Sequence, residues 1–287
     1  VTLVDVLRET GWTVAAACQL VGGSRSGSDA ARQARSAEAT APDPTAEALR
    51  ARIRSITEAH PVWGYRRVWA WLRYREGLPV KKQRGSRLRR EAGLTVKRVS
   101  HAATRTPKAK PQATRPRQSW GIDRTKFLIP ALGWAYLVIV LDWDTKKIVG
   151  WDLSRRSRRQ EWEAALAMGV PAEFPQGVRG AGVKLGSDHG SQPTAIGFMA
   201  ALNTLGIEPV FTRDDHPQGK AETERVMRTI KEELRWLREF TSVEEAREVI
   251  RHWITVEYNE RYVHSSLGYQ SPCEFERAWA AQGQRAA

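Results

Sequence analysis

Three carboxylates in this chain have the settings that metal-dependent chemistry needs. Asp188 lies in Ser187-Asp188-His189-Gly190-Ser191-Gln192, and Glu224 closes Gly219-Lys220-Ala221-Glu222-Thr223-Glu224. Asp123 sits in Trp120-Gly121-Ile122-Asp123-Arg124-Thr125, sixty-five positions before Asp188. Thirty-five residues separate Asp188 from Glu224. Carboxylates suit Mg²⁺ and Mn²⁺, which prefer hard oxygen ligands. Two such ions a few ångströms apart activate an attacking oxygen and stabilise a leaving one during in-line displacement. In a strongly basic chain, three acids so placed point to phosphoryl transfer on a nucleic-acid backbone.

The elements that must position these acids follow from side-chain periodicity. Residues 119–129, 134–142 and 147–153 read as three consecutive strands, with Gly133 in the first turn and Asp144-Thr145-Lys146 in the second. A helix is expected over 160–168, a short buried strand over 183–187 and a helix over 193–205 closed by Gly206. Another strand is expected over 207–211, then helices from about 220 to 238 and from 242 to 258. Three strands followed by alternating helix and strand describe an α/β domain, a mixed sheet with flanking helices. Asp123 then falls inside the first strand, Asp188 at the end of the fourth and Glu224 on a later helix. On that helix Glu222 and Glu224 differ by about 200°, so only one of them faces the metals. Glu224, Arg228 and Lys231 share a face, which offers one ligand and two cations for a DNA backbone.

Charge divides the chain. The formal net charge is +14, yet residues 51–118 carry 19 Lys/Arg against 3 Asp/Glu, while residues 1–50 and 119–287 are each close to neutral. Concentrated positive charge of this kind is an electrostatic handle for a polyanion. Within it, Trp63-Gly64-Tyr65-Arg66-Arg67 opens one helix, and residues 81–91 form another that carries Lys81, Lys82, Arg84, Arg87, Arg89 and Arg90. These cations, with Arg66, Arg67, Arg228 and Lys231, are the candidate DNA contacts. Trp63, Trp69 and Trp71 suit either base stacking or helix packing, and packing is the stronger reading.

The expected domains are a helix-turn-helix-like segment with its linker (1–45) and a small all-helical, basic DNA-binding region (46–106). A Pro-rich basic linker (107–118), a catalytic core (119–277) and a short tail (278–287) follow. Cys18 and Cys273 are far apart with no CxxC spacing, so neither a cysteine zinc site nor a disulfide framework is expected, and a reducing cytoplasm fits. The longest apolar run, 127–141, is broken by Pro130 and Gly133 and is too short for a membrane span. No signal-peptide pattern opens the chain, and Val1 is compatible with an alternative start, a frameshift product or a trimmed chain. Asp142, Asp144, Asp214 and Asp215 suit turns better than metals, and the six histidines are scattered.

The motifs together resemble a known family: bacterial insertion-sequence transposases with a retroviral-integrase-type DDE core, in particular the OrfB-type proteins of the IS-three group. Trp120-x-x-Asp123-x-Thr125 is similar to the first catalytic motif and Ser187-Asp188-x-Gly190-Ser191-Gln192 to the second. Pro217-x-x-x-Ala221-x-x-Glu224, with Thr229 and Lys231, is similar to the third. Gly133-Trp134-x-Tyr136-Leu137, Ile148-Val149-Gly150-Trp151, Tyr258-Asn259-x-Arg261, His264, Leu267-Gly268-Tyr269 and Ser271-Pro272 extend the match, and Trp63 to Arg67 with Gly93-Leu94 resembles the preceding DNA-binding region. The resemblance spans about 50–277. It implies a ribonuclease-H-like core in which Asp123, Asp188 and Glu224 hold two Mg²⁺, with Mn²⁺ as a substitute. It further implies strand hydrolysis at the element's end and attack by the freed 3′-hydroxyl. The implied partners are element-end and target DNA, further copies of the chain on that DNA, and a small upstream DNA-binding protein joined by frameshifting. The implied location is cytoplasmic, at the nucleoid. Two other readings stay open on the residues alone: a catalytically inactive DNA-binding regulator, and a nuclease of RNA–DNA hybrids. Arg124, where the family has an apolar residue, should face away from Asp123; His189 stands where the wider group often has Asn.

Overall fold

A computed structural model describes residues 3–24, 44–95, 114–130, 132–188, 190–211, 221–235 and 239–286. His189, Asp214, Asp215 and most of the linkers 26–46 and 107–118 lie outside the described residues. The chain's contacts form two units, residues 1–59 with 88–94, and residues 60–87 with 95–287.

In the first unit, α1 (Leu3–Glu9) and α2 (Val14–Val21) pack through Val4, Ala17 and Cys18. Thr13 caps α2 by accepting from Ala16 N at 3.3 Å, and Gly22 ends it in a left-handed conformation open to glycine at little cost. The third helix, α3 (Pro44–Ala59), buries Leu49, Ile53 and Ile56, which recur at helical spacing along one face.

The second unit begins with α4 (Tyr65–Tyr74) and most of α5 (Lys82–Glu91). Trp69 is buried and its Nε1 donates to the Val80 carbonyl at 2.8 Å; Trp63 is buried too, so both indoles serve packing. A mixed sheet follows, ordered β3-β2-β1-β4-β5 from β1 (Ser119–Ile129), β2 (Gly133–Asp142), β3 (Ile148–Ser154), β4 (Lys184–Ser187) and β5 (Glu208–Phe211). The first three strands are an antiparallel meander; β4 joins β1, and β5 joins β4, in parallel. Expected strand bounds agree to within a residue or so, because short apolar, β-branched runs bounded by turn residues are a local signal.

One face of the sheet carries the main core. Trp120 and Ile122 of β1, Val138 and Val140 of β2 and Leu185 of β4 pack with Trp162, Ala165, Leu166 and Val170 of α6 (Arg159–Glu173) and with Phe198 and Leu202 of α7 (Ile196–Leu205). The expected helix 160–168 runs on through Pro171 to Glu173. Glu173 is itself buried, and Lys147 Nζ and Arg117 Nε hold its carboxylate at 2.7 and 2.8 Å. Burial alone would push that carboxyl up, but the two cations keep it below the usual carboxylate range. The backbones of β3 and α6 nearly touch, since a side chain at Gly150 would overlap the Ala165 carbonyl.

The other face receives α8 (Ala221–Ile230), α9 (Val243–His252) and the segments that continue them. Neither expected long helix stays α-helical. The chain widens into a π turn over Lys231–Arg235 and again over Trp253–Arg261, before α10 (Pro272–Ala286). Among the described residues, no helix is long and apolar enough to cross a membrane.

Strand β3 is an edge, and Asn259 covers it as a strand would. Its Oδ1 accepts from Ile148 N at 3.0 Å and its Nδ2 donates to Ile148 O at 2.9 Å. Both bonds are buried, so replacing Asn259 with leucine strands a donor and an acceptor on β3. The expected cost is about 3 kcal/mol of stability, read as a lower midpoint in urea unfolding. Asn259→Asp should be no better, because a carboxylate cannot donate to the Ile148 carbonyl. A midpoint unchanged in either variant overturns this role.

Candidate active site

The parallel register decides where the two aspartates meet. Ser119 pairs with Lys184, Trp120 with Leu185 and Gly121 with Gly186, a constant step of 65 residues. Asp123 and Asp188 are separated by that same step. Observed pairing ends at Gly121 and Gly186; carried two residues on, the same step would set Asp188, just beyond the carboxyl end of β4, beside Asp123 on the neighbouring strand, where parallel strands run about 4.8 Å apart. Registered residues of parallel strands share a face. Trp120, Ile122 and Leu185 belong to the main core, so Gly121, Asp123, Gly186 and Asp188 belong to the opposite face, the one on which α8 packs. The crevice outside the carboxyl ends of parallel strands is the usual ligand site of such sheets.

Two glycines make the floor of that face. Gly121 and Gly186 are direct partners, each two residues before an aspartate. A side chain at Gly121 would overlap both Thr223 Oγ1 and Trp143 Nε1, and one at Gly186 would overlap the Trp143 ring. The Trp143 indole thus lies on the two glycines, and its Nε1 donates to Thr223 Oγ1 at 3.0 Å. Thr223 is buried, and the residue after it is Glu224, which is exposed. Glu222 turns elsewhere and pairs with Lys146 Nζ at 3.1 Å. The split between Glu222 and Glu224 is the one helical geometry demands.

Asp123 Oδ1 accepts from Arg124 N at 2.7 Å, and Asp188 Oδ1 from Gly190 N at 3.1 Å. Arg124 is exposed with its guanidinium 5.8 Å from the Tyr136 ring. Asp142 is buried in a turn, accepting from the backbone of Arg117, Asp144 and Thr145. Three carboxylates form a hard-oxygen donor set whose chemistry fits Mg²⁺ or Mn²⁺. Asp123 lies on β1, Asp188 just beyond β4 and Glu224, exposed, on α8; among the described residues, no three His, Cys, Asp or Glu side chains form a group that could hold a metal.

The candidate DNA contacts divide by orientation. Lys81, Arg84, Arg87 and Arg90 are the exposed cations of the 81–91 stretch; Lys82 is half-buried, its Nζ 4.4 Å from the Trp69 ring. Arg89 is buried, its Nε donates to the Leu94 carbonyl at 2.7 Å, and burial holds its pKa below the ordinary arginine value. Arg66 is exposed beside the Tyr65 hydroxyl, 3.3 Å away. Arg67 points inward instead, 3.7 Å from Glu233 Oε1 and 4.8 Å from the Tyr262 ring. Arg228 is exposed and Lys231, where the π turn begins, is half-buried. Of the C-terminal motif, Tyr258 is buried and His264 Nε2 is enclosed, the imidazole lying 5.3 Å from Tyr258 and 5.0 Å from Tyr262. Burial, with the charges of Arg67, Lys146 and Arg225, holds His264 down at about 3, so it is neutral at physiological pH.

Gly121, Gly186, Trp143, Thr223 and Glu233 did not figure among the sequence candidates. The glycines had a signal, since each stands two residues before an acid on a strand, where an isolated glycine marks close approach of another group. For Trp143, Thr223 and Glu233 no local signal exists.

Comparison with known proteins adds independent findings. A family model described as "Integrase core domain" matches residues 113–217, a second of the same description matches 205–272, and one described as "HTH-like domain" matches 44–101. The chain is 31% identical over 166 residues to the transposase for insertion sequence element IS904 of Lactococcus lactis subsp. lactis (strain IL1403), covering 58% of this chain and 64% of that protein. It is 30% identical over 215 residues to the uncharacterized 31 kDa protein of insertion element IS600 of Shigella sonnei, covering 71% and 77%. With transposase InsD of insertion element IS2 of Escherichia coli it shares 26% identity over 243 residues, covering 81% and 79%.

Proposed function

We propose that this chain, which belongs to the family of insertion-sequence transposases with an integrase-type core, cuts a DNA strand at the end of its element and joins that end to new DNA. The observation that supports the reading is the parallel register of β1 with β4, whose step of 65 residues is also the step between Asp123 and Asp188, together with the packing of α8, the helix of Glu224, against β1. In the first step a water oxygen bonds to phosphorus and the P–O3′ bond breaks, leaving a 3′-hydroxyl on the element. In the second, that 3′-oxygen bonds to a target phosphorus and a target P–O3′ bond breaks. Each step exchanges one phosphodiester oxygen for another, so no protein nucleophile is required. Asp123, Asp188 and Glu224 would hold two Mg²⁺, or Mn²⁺, and these ions when bound supply activation of the attacking oxygen and charge stabilisation at the leaving one.

The chain's own residues do the rest. Gly121 and Gly186 let Trp143 lie flat, and Trp143 fixes Thr223 and hence the turn of helix that carries Glu224. Lys81, Arg84, Arg87 and Arg90 bind phosphates of the element end, and Arg228 and Lys231 steer the backbone nearer the acids. DNA ends and target are the partners; pairing two ends calls for more than one copy, and a small upstream protein joined by frameshifting would add end recognition.

Incubating the full chain with labelled element-end DNA in Mg²⁺ or Mn²⁺ tests the reading. A nicked end with a free 3′-hydroxyl, followed by a branched or joined product, is expected. Binding without cleavage by the intact chain would favour a DNA-binding regulator, and degradation of an RNA–DNA hybrid without joining would favour a nuclease. Replacing Arg84, Arg87 and Arg90 together with glutamine should weaken binding and lower the salt slope by about two to three. Cleavage at saturating DNA should change little, and an unchanged salt slope would rule this helix out as the phosphate handle.

A further inference from the structure

The Trp63 to Arg67 motif, read from sequence as part of the DNA-binding region with Arg66 and Arg67 as its contacts, turns Trp63 and Arg67 into the protein. Trp63 Nε1 donates to Glu233 Oε1 at 3.0 Å, and Arg67 Nη1 lies 3.7 Å from the same oxygen. Trp253 Nε1 donates to the other oxygen, Oε2, at 3.3 Å. The Glu233 side chain is only 9% exposed. Burial holds its carboxyl above the ordinary carboxylate range, although Arg67 and the two indoles pull it down. Aromatic rings close the cage: His60 stacks on Trp63 at 3.8 Å, and Tyr262 lies under the Arg67 guanidinium and edge-on to Trp63.

Glu233 is nine residues beyond Glu224, and no break in helical structure separates them, since α8 ends at Ile230 and the π turn begins at Lys231. A second π turn begins at Trp253, the residue that holds the other oxygen. π turns are uncommon, geometrically poorer than α-helix, and frequent at functional sites. Here two of them meet at one buried carboxylate, as expected where each helix is widened to bring a side chain to a fixed point. A carboxylate so enclosed is costly unless paired, so removing Arg67 leaves an uncompensated buried charge at the root of the helix that carries the third acid.

We infer that Trp63 and Arg67 are positioning residues for Glu224: they clamp Glu233 and so set the angle at which α8 presents the third acid to the metals. The inference rests on the reading of Glu224 as a metal-holding residue. It assigns the two inward side chains of the motif to the active site and leaves Arg66, which is exposed, for phosphate.

The test compares Arg67→Met, Arg67→Lys and Glu224→Gln with the unaltered full chain. Three quantities are measured: affinity for element-end DNA with its salt slope, binding of Mn²⁺ alone by electron paramagnetic resonance, and cleavage at saturating DNA. Arg67→Met should keep DNA affinity within about twofold and the salt slope unchanged, while Mn²⁺ affinity and cleavage each fall by about tenfold or more, the range for residues that orient metal ligands. Arg67→Lys, which keeps the charge, should recover part of both. A salt slope lower by about one with Mn²⁺ affinity unchanged would make Arg67 a phosphate contact and overturn the inference. Should Arg67→Met fail to fold, Trp63→Phe, which removes a single hydrogen bond to Glu233, carries the Mn²⁺ and cleavage comparison: a fall in both supports the clamp, and unchanged Mn²⁺ affinity overturns it. Glu224→Gln separates the layers: if it binds Mn²⁺ as the unaltered chain does, the reading of Glu224 fails, whatever the clamp does.

Discussion

Replacing Asp188 with asparagine is expected to reduce strand cleavage by about a thousandfold or more while leaving DNA binding almost intact, the pattern of losing a group that acts only in the chemical step. Asparagine keeps the shape of the side chain and an oxygen that can still accept from Gly190 N, as Asp188 Oδ1 does at 3.1 Å. What it removes is the negative charge and one hard-oxygen ligand. Binding should hold or tighten slightly, because a negative charge facing the phosphates is gone. Cleavage of a labelled end and fluorescence anisotropy on the same DNA measure the two sides of the comparison. Asp123→Asn and Glu224→Gln should behave alike. A variant that loses binding outright would show that the core, and not the strongly basic stretch 51–118, holds the DNA; a variant that cuts normally would remove its acid from the chemistry.

The second large effect concerns a residue that touches neither metal nor DNA. Gly121→Ala is expected to lower cleavage by about a hundredfold, because displacing a catalytic group by about 1 Å costs that much, and to cost about 1–3 kcal/mol of stability through overpacking. The added methyl has nowhere to go: it meets Thr223 Oγ1 on one side and Trp143 Nε1 on the other. Relief comes only if α8 lifts from the sheet, and Glu224 lifts with it. Gly186→Ala should be milder, since it meets only the edge of the Trp143 ring. The double change Gly121→Ala with Trp143→Leu should recover much of the lost stability, because the smaller side chain opens the space, and a thermodynamic cycle in denaturant quantifies the coupling. If Gly121→Ala cuts DNA normally, the spacing between α8 and the sheet does not govern catalysis.

Much of this arrangement was legible in the sequence. Runs of β-branched, aliphatic and aromatic residues bounded by turn residues are a local signal, and the strands 119–129 and 133–142 formed where that signal placed them. The opposite orientation of Glu222 and Glu224 follows from helical rotation alone, and the pairing of Glu222 with Lys146 agrees. The π turns were not legible. A widened turn has no composition signature, and the one at Lys231–Arg235 carries Glu233, whose partner Trp63 is 170 residues away in the chain. For the same reason Arg66 and Arg67, adjacent and identical in type, could not be told apart until the fold turned one outward and the other toward Glu233.

By itself the sequence singled out the three candidate acids and determined the strands and helix on or beside which they lie, and the concentration of positive charge upstream. All of these are local properties: residue type, period and composition. The step of 65 between Asp123 and Asp188 was also present in the sequence, but only the pairing of β1 with β4 in parallel at that step made it a distance in space. Tertiary structure alone decided that Gly121 and Gly186 form a floor for Trp143, that Thr223 is held against it, and that Arg67 serves Glu233. Each of these contacts joins segments remote in sequence, and such contacts are set by close packing of the whole core, where no short stretch of chain carries the information.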